Sequence, residues 1–74
     1  MSKKNQHVVP HGSEWGVRGE GNERLTHITA TQTEAIDLAR NIAEHQQSEL
    51  FIHNRLGQIR ERNSYGNDPY PPQG

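Results

Sequence analysis

From Ala35 to Ala43 the apolar side chains recur at helical spacing. Ala35, Ile36, Leu38, Ala39, Ile42 and Ala43 fall within an arc of about 160° when each residue advances a helix by roughly 100°. Asp37, Arg40, Asn41 and Glu44 take the opposite side, where Asp37 and Asn41, like Arg40 and Glu44, stand one helical turn apart on a wet face. Just upstream, Thr31-Gln32-Thr33-Glu34 reads as a capping box, in which the Thr31 hydroxyl accepts from the backbone at Glu34 and that carboxylate reaches back to the cap. The pattern predicts one amphipathic helix near Gln32–Gln46, a lid for a sheet.

Shorter, extended patterns surround it. Gln6–Pro10 and Trp15–Gly19 flank His11-Gly12-Ser13-Glu14, a hairpin connection, and Gly19-Glu20-Gly21-Asn22 forms a second turn before a third strand at Arg24–Thr29. After the helix, Glu49–His53 and Gln58–Arg62 flank Asn54-Arg55-Leu56-Gly57, where Gly57 is free to take a positive φ. The order is β-β-(β)-α-β-β. It predicts an α+β domain in which a small, largely antiparallel β-sheet of about four to five short strands packs on one α-helix. From Asn63 onward, Gly66, Pro69, Pro71, Pro72 and Gly74 rule out a central strand or helix. Residues 1–5 read as a flexible N-terminus, 6–63 as a single domain, and 64–74 as an irregular tail that is packed on the domain or disordered.

Composition limits the size of the core. The chain has 74 residues, 28% of them hydrophobic, and a mean hydropathy of -1.09. A domain this small needs a disulfide, a metal, a partner subunit or very economical packing. There is no cysteine, which removes the first and fits a reducing compartment. Met1-Ser2-Lys3-Lys4-Asn5-Gln6 has the charge of a signal peptide without an apolar stretch after it. No run approaches the roughly twenty apolar residues of a membrane span. A soluble cytoplasmic protein without membrane contact is the expectation. Eight Lys and Arg against nine Asp and Glu give a net charge of -1, which argues against a dedicated DNA-coating protein but leaves room for a local basic patch. Five histidines would move that charge upward below about pH 6.5.

Strand alternation sorts the two sheet faces. Leu50, Ile52 and Ile59 are expected to point at the helix with Trp15 and Val17, which sends Arg18, Phe51, His53, Arg60 and Arg62 to the other face. A slip of one residue would exchange the faces. An aromatic ring among arginines on an open sheet is a surface that single-stranded nucleic acids use. The same arginines also serve to protect an exposed strand, with Tyr65 or Tyr70 folding back over Phe51.

Other constellations carry less. His7 and His11 are four apart with Pro10 between them, without HExxH or a cysteine pair, and a structural zinc wants four ligands. Ser64, His53 and Asp68 supply triad residue types but no GxSxG elbow accompanies them, and so short a chain leaves little room for a water-excluding pocket. Gly12, Gly16, Gly19 and Gly21 do not form a phosphate loop. Pro69-Tyr70-Pro71-Pro72 is formally a PxxP, pre-extended for an aromatic groove. No catalytic, cofactor or metal residues are assigned.

Several segments together carry a family resemblance. They are Asn5-Gln6-His7-Val8-Val9-Pro10, Trp15-Gly16-Val17-Arg18-Gly19-Glu20-Gly21-Asn22, Thr31-Gln32-Thr33-Glu34-Ala35-Ile36, Ser48-Glu49-Leu50, Gly57-Gln58-Ile59-Arg60 and Ser64-Tyr65-Gly66-Asn67-Asp68-Pro69. On these the chain resembles the bacterial family catalogued as DUF2188, a domain of unknown function, over nearly its whole length. Leu56 departs from the pattern, since family members commonly carry an acidic residue before this glycine. The resemblance implies a small bacterial protein and brings no established activity, cofactor or catalytic residues.

The residues point to a non-enzymatic interaction module that holds a protein partner, or another copy of itself, on its open sheet face and tail. Phe51, Tyr65 and Tyr70 would be apolar anchors with Arg60 and Arg62 as a polar rim, and Arg18 and His53 on the same surface. The alternative is a single-strand nucleic-acid binder using Arg18, Phe51, Arg60 and Arg62.

Overall fold

The computed structural model describes residues 4–65. The chain forms β1 (Gln6–His11), β2 (Glu14–Gly19), β3 (His27–Thr29), α1 (Gln32–Gln46), β4 (Glu49–His53) and β5 (Ile59–Ser64). The strands make one sheet in the order β3-β2-β1-β4-β5, with α1 packed on one side of it. This is the α+β architecture that the hydrophobic pattern predicts.

The sheet is mixed. β1–β2, β2–β3 and β4–β5 pair antiparallel, while β1 and β4, at the centre, run parallel. The reason is the crossover: α1 carries the chain back to the end where β1 begins, so β4 sets out in the same direction. A hairpin-only reading of the strands has no means of placing this pair.

Local chemistry fixes the element ends. The Thr31 hydroxyl accepts from the Glu34 amide at 3.2 Å, satisfying one of the orphan donors of the first helical turn. α1 stops where Gln47 adopts a left-handed conformation (φ 54, ψ 52) and its N–H returns to the carbonyls of Ala43 and Glu44. Gly57, at φ 86, closes the β4–β5 turn, and the Asn54 carboxamide oxygen braces it by accepting from the amides of Leu56 (2.9 Å) and Gln58 (3.0 Å). Arg55 ties this turn to its neighbour. Its guanidinium lies over Trp15, 4.9 Å from the ring centroid, and donates to the carbonyls of Gly12 and Ser13.

The core is small and economical. Ala35, Ala39 and Ala43 are fully buried and face Val8, Trp15, Val17, Leu50 and Ile52. Ile36, Leu38, Ile42 and Tyr65 close the rim. A stripe of methyl groups lets the helix lie close on the sheet, so each apolar side chain beneath it is fully dried, worth about 1.5–3 kcal/mol apiece for the larger ones.

Ile59 is not part of this core. A register shift between Ile52 and His53 inserts one extra residue in β5, so that Ile52 opposes Glu61 while His53 opposes Ile59. The bulge inverts the alternation. Ile59 turns to the face away from the helix and is 56% exposed, whereas Arg60 swings toward α1 and donates from Nη1 to Gln32 Oε1 at 2.8 Å.

Two substitutions test this packing by chemical denaturation. Thr31→Ala should cost about 1 kcal/mol by orphaning the Glu34 amide. Ala39→Leu should cost about 1–3 kcal/mol by overfilling the space between helix and sheet; an unchanged midpoint would mean that the helix does not sit on that stripe.

Candidate interaction face

The helix covers one side of the sheet, and the other side carries two cross-strand rows. The register fixes the first. Arg18 pairs with His7, His7 with Phe51, and Phe51 with Arg62, so side chains from β2, β1, β4 and β5 stand in line. His7 stacks on Phe51 with ring centroids 5.0 Å apart and planes 19° from parallel. Arg18 is half-buried, and its sequestered Nε has no hydrogen-bond partner among the described residues. Arg62 is exposed and reaches Glu49 only at 4.0 Å.

The second row is apolar. Ile28 opposes Gly16, and Gly16 opposes Val9. Leu25 lies over Gly16, where a Cβ would come within 2.5 Å of its Cδ1; the missing side chain is what lets Leu25 settle there. Ile59 stands across from His53. Ile28 is 53% exposed and Ile59 56%, so the row ends in bare aliphatic side chains on both flanks. Leu56, in the β4–β5 turn, is 82% exposed.

Where the rows meet, polar groups are linked. His7 Nδ1 lies 3.0 Å from His53 Nε2, His53 Nδ1 lies 3.0 Å from the Gly57 carbonyl, and His7 Nε2 lies 3.3 Å from Glu20 Oε1. Asn5 anchors the far end, donating from Nδ2 to Glu20 at 3.2 Å while its Oδ1 accepts from the Glu49 amide at 2.9 Å. Burial holds His7 below its ordinary value of 6.5, against the upward pull of its bond to Glu20. Glu20 is held below its usual range by its hydrogen bonds from Asn5 and His7.

Of the surface residues that the sequence singles out, Arg18, Phe51, His53 and Arg62 share this face. Arg60 does not, because the bulge delivers it to the start of α1. Tyr65 packs at the rim of the core, with its amide donating to Ser48 O at 3.1 Å, so it does not lie over Phe51. Tyr70 and the Pro69–Pro72 segment lie outside the described residues. His7 is the member that sequence reasoning missed as part of this surface. Its signal was its place between the inward-pointing Gln6 and Val8 on β1, but only the β1–β4 pairing sets it beside Phe51. Among the described residues, no three His, Cys, Asp or Glu groups gather to hold a metal ion, and no helix is long and apolar enough to cross a membrane.

The family described as an uncharacterised protein conserved in bacteria, DUF2188, matches residues 6–65. The uncharacterised protein YdaT of Bacillus subtilis (strain 168) is 34% identical over 62 residues, covering 84% of this chain and 41% of that protein. The chain therefore spans less than half the length of that relative. No solved structure matches it significantly.

The depressed His7 fixes the sign of a pH effect. Below 6.5 the unfolded chain takes a proton on this ring that the folded chain resists, so acid favours unfolding there and stability rises again with pH. Urea midpoints measured between pH 7.5 and pH 5 should fall with acidity, and less steeply in His7→Phe, which keeps a ring against Phe51. Equal slopes in the two proteins would show that His7 is not the group responsible.

Proposed function

The chain belongs to the bacterial family DUF2188, and from that membership and its open sheet face we propose that it is a non-enzymatic protein-binding module. The observation that carries this reading is the pairing of two unlike rows on a sheet face that no helix or strand among the described residues covers. A cationic and aromatic row (Arg18, His7, Phe51, Arg62) runs beside an apolar row ending in the exposed Ile28 and Ile59. Such a face suits a protein segment that has apolar side chains along one edge and carboxylates along the other. Phe51, Ile28 and Ile59 supply the apolar anchors, and Arg18 and Arg62 the charge. A cysteine-free chain suits work in the cytoplasm.

Self-association through the free edge of β5 is disfavoured. A two-fold antiparallel pairing centred on Arg60, Glu61 or Arg62 sets that charge against its own copy. A second copy docked face to face remains one form that the partner could take.

One feature favours a second reading, in which Phe51 and His7 stack bases of a single strand while Arg18 and Arg62 meet phosphates. The aliphatic row and the net charge of -1 have no part in that scheme, which ranks it second.

Site-specific photocrosslinking in bacterial cells separates the readings. A photoreactive residue at Ile28 or Ile59 should give a discrete protein adduct, and one at Glu44, on the wet side of α1, should not. Phe51→Ala combined with Arg62→Glu should abolish the adduct without unfolding the chain. Adducts with nucleic acid, lost as salt rises, would transfer support to the second reading; equal labelling from Glu44 would defeat both.

A further inference from the structure

We infer that His7 and His53 form one proton-binding site, in which the two rings together take up a single proton between Glu20 and the Gly57 carbonyl. The hydrogens available to the two rings can be counted. The Gly57 carbonyl only accepts, so His53 Nδ1, 3.0 Å away, carries a hydrogen. An ionised Glu20 also only accepts, so His7 Nε2 at 3.3 Å carries one as well. Each neutral imidazole has a single N–H, and both are now used. The inner nitrogens, His7 Nδ1 and His53 Nε2, are then bare, and they face each other at 3.0 Å. Two lone pairs repel at that distance, and one proton between them turns the repulsion into a hydrogen bond. Three contacts need three hydrogens, and two neutral rings bring two.

The shape of the contact selects a proton over a metal. The ring centroids are 5.3 Å apart, which is the 3.0 Å contact plus one ring radius at each side. The nitrogens therefore point at each other along the line of centres, as an N–H···N bond requires. Two rings chelating one ion would each aim a nitrogen at the metal, off the line between the rings, rather than at the other ring.

The surroundings make this proton conditional. Arg18 on β2 and Arg62 on β5 stand in the same row, Phe51 on β4 covers one face of His7, and Glu49, also on β4, lies toward Arg62. Burial, the neighbouring His53 ring and Arg18 oppose a positive charge on His7, while Glu20 favours it. At neutral pH the rings are short of one hydrogen and one of the three contacts is open; as acidity rises the proton enters and all three close. The row Arg18–His7–Phe51–Arg62 then gains a positive charge. This site stands whether or not the face docks a partner.

Long-range ¹⁵N–¹H NMR of the ring nitrogens, on the 74-residue chain from pH 8 to pH 4, tests it. His53 should keep its hydrogen on Nδ1 throughout. Both rings should respond together in one protonation step, with a second proton resisted to much lower pH. His11, His27 and His45, all exposed, serve as references. In Glu20→Gln, on an exposed side chain, the joint step should shift to lower pH. Separate titrations of His7 and His53, or the hydrogen on Nε2 of both rings, would overturn the shared site. Joint shifts produced by Zn²⁺ at pH 7 would overturn the proton in favour of a metal.

Discussion

Three alanine methyl groups set the distance on which this fold depends. Ala35, Ala39 and Ala43 lie against Val8, Val17, Leu50 and Ile52, and all are buried. A chain with 28% hydrophobic residues cannot fill a deep layer between helix and sheet, so it closes the layer instead. Small side chains on the helix let larger ones on the sheet be dried completely, with Ile36, Leu38, Ile42 and Tyr65 sealing the edges. The arrangement is economical for a domain of this size, and it commits the single helix to one face.

That commitment leaves the opposite face to other uses. The parallel pairing of β1 and β4 lies under the helix and is aligned by the same buried residues, since Val8 pairs with Ile52. Fixing Val8 against Ile52 also fixes His7 against Phe51 on the far side, because successive residues point to opposite faces. The core and the Arg18–His7–Phe51–Arg62 row are thus two sides of one register. A slip that exposed Ile52 would break up the row as well.

The bulge in β5 has a similar double effect. It removes Arg60 from the open face and uses it to hold Gln32, whose Nε2 donates in turn to the His53 carbonyl at 3.0 Å. The start of α1 is thereby fastened to the end of β4, where His53 begins the turn. The exchanged residue, Ile59, adds an aliphatic side chain beside His53. The histidine pair sits between these features, with His7 stacked on Phe51 and bonded to Glu20 and His53 bonded to the Gly57 carbonyl, so it is tied to turns at both ends of the sheet.

The sequence by itself determined the helix and the succession of strands along the chain, because these rest on local periodicity, turn residues and capping. Thr31, the apolar arc of α1 and the glycine turns each act within a few residues of chain, and the structure follows them. Leu50, Ile52, Trp15 and Val17 lie inward as alternation requires. Alternation failed at Ile59 and Arg60, since it assumes an unbroken pleat and a bulge adds a residue that no local signal marks. The parallel β1–β4 pair and the meeting of His7 with His53, 46 residues apart, were decided only by the tertiary structure. Which strands become neighbours depends on how the helix packs across them, and that is a property of the whole core rather than of any segment.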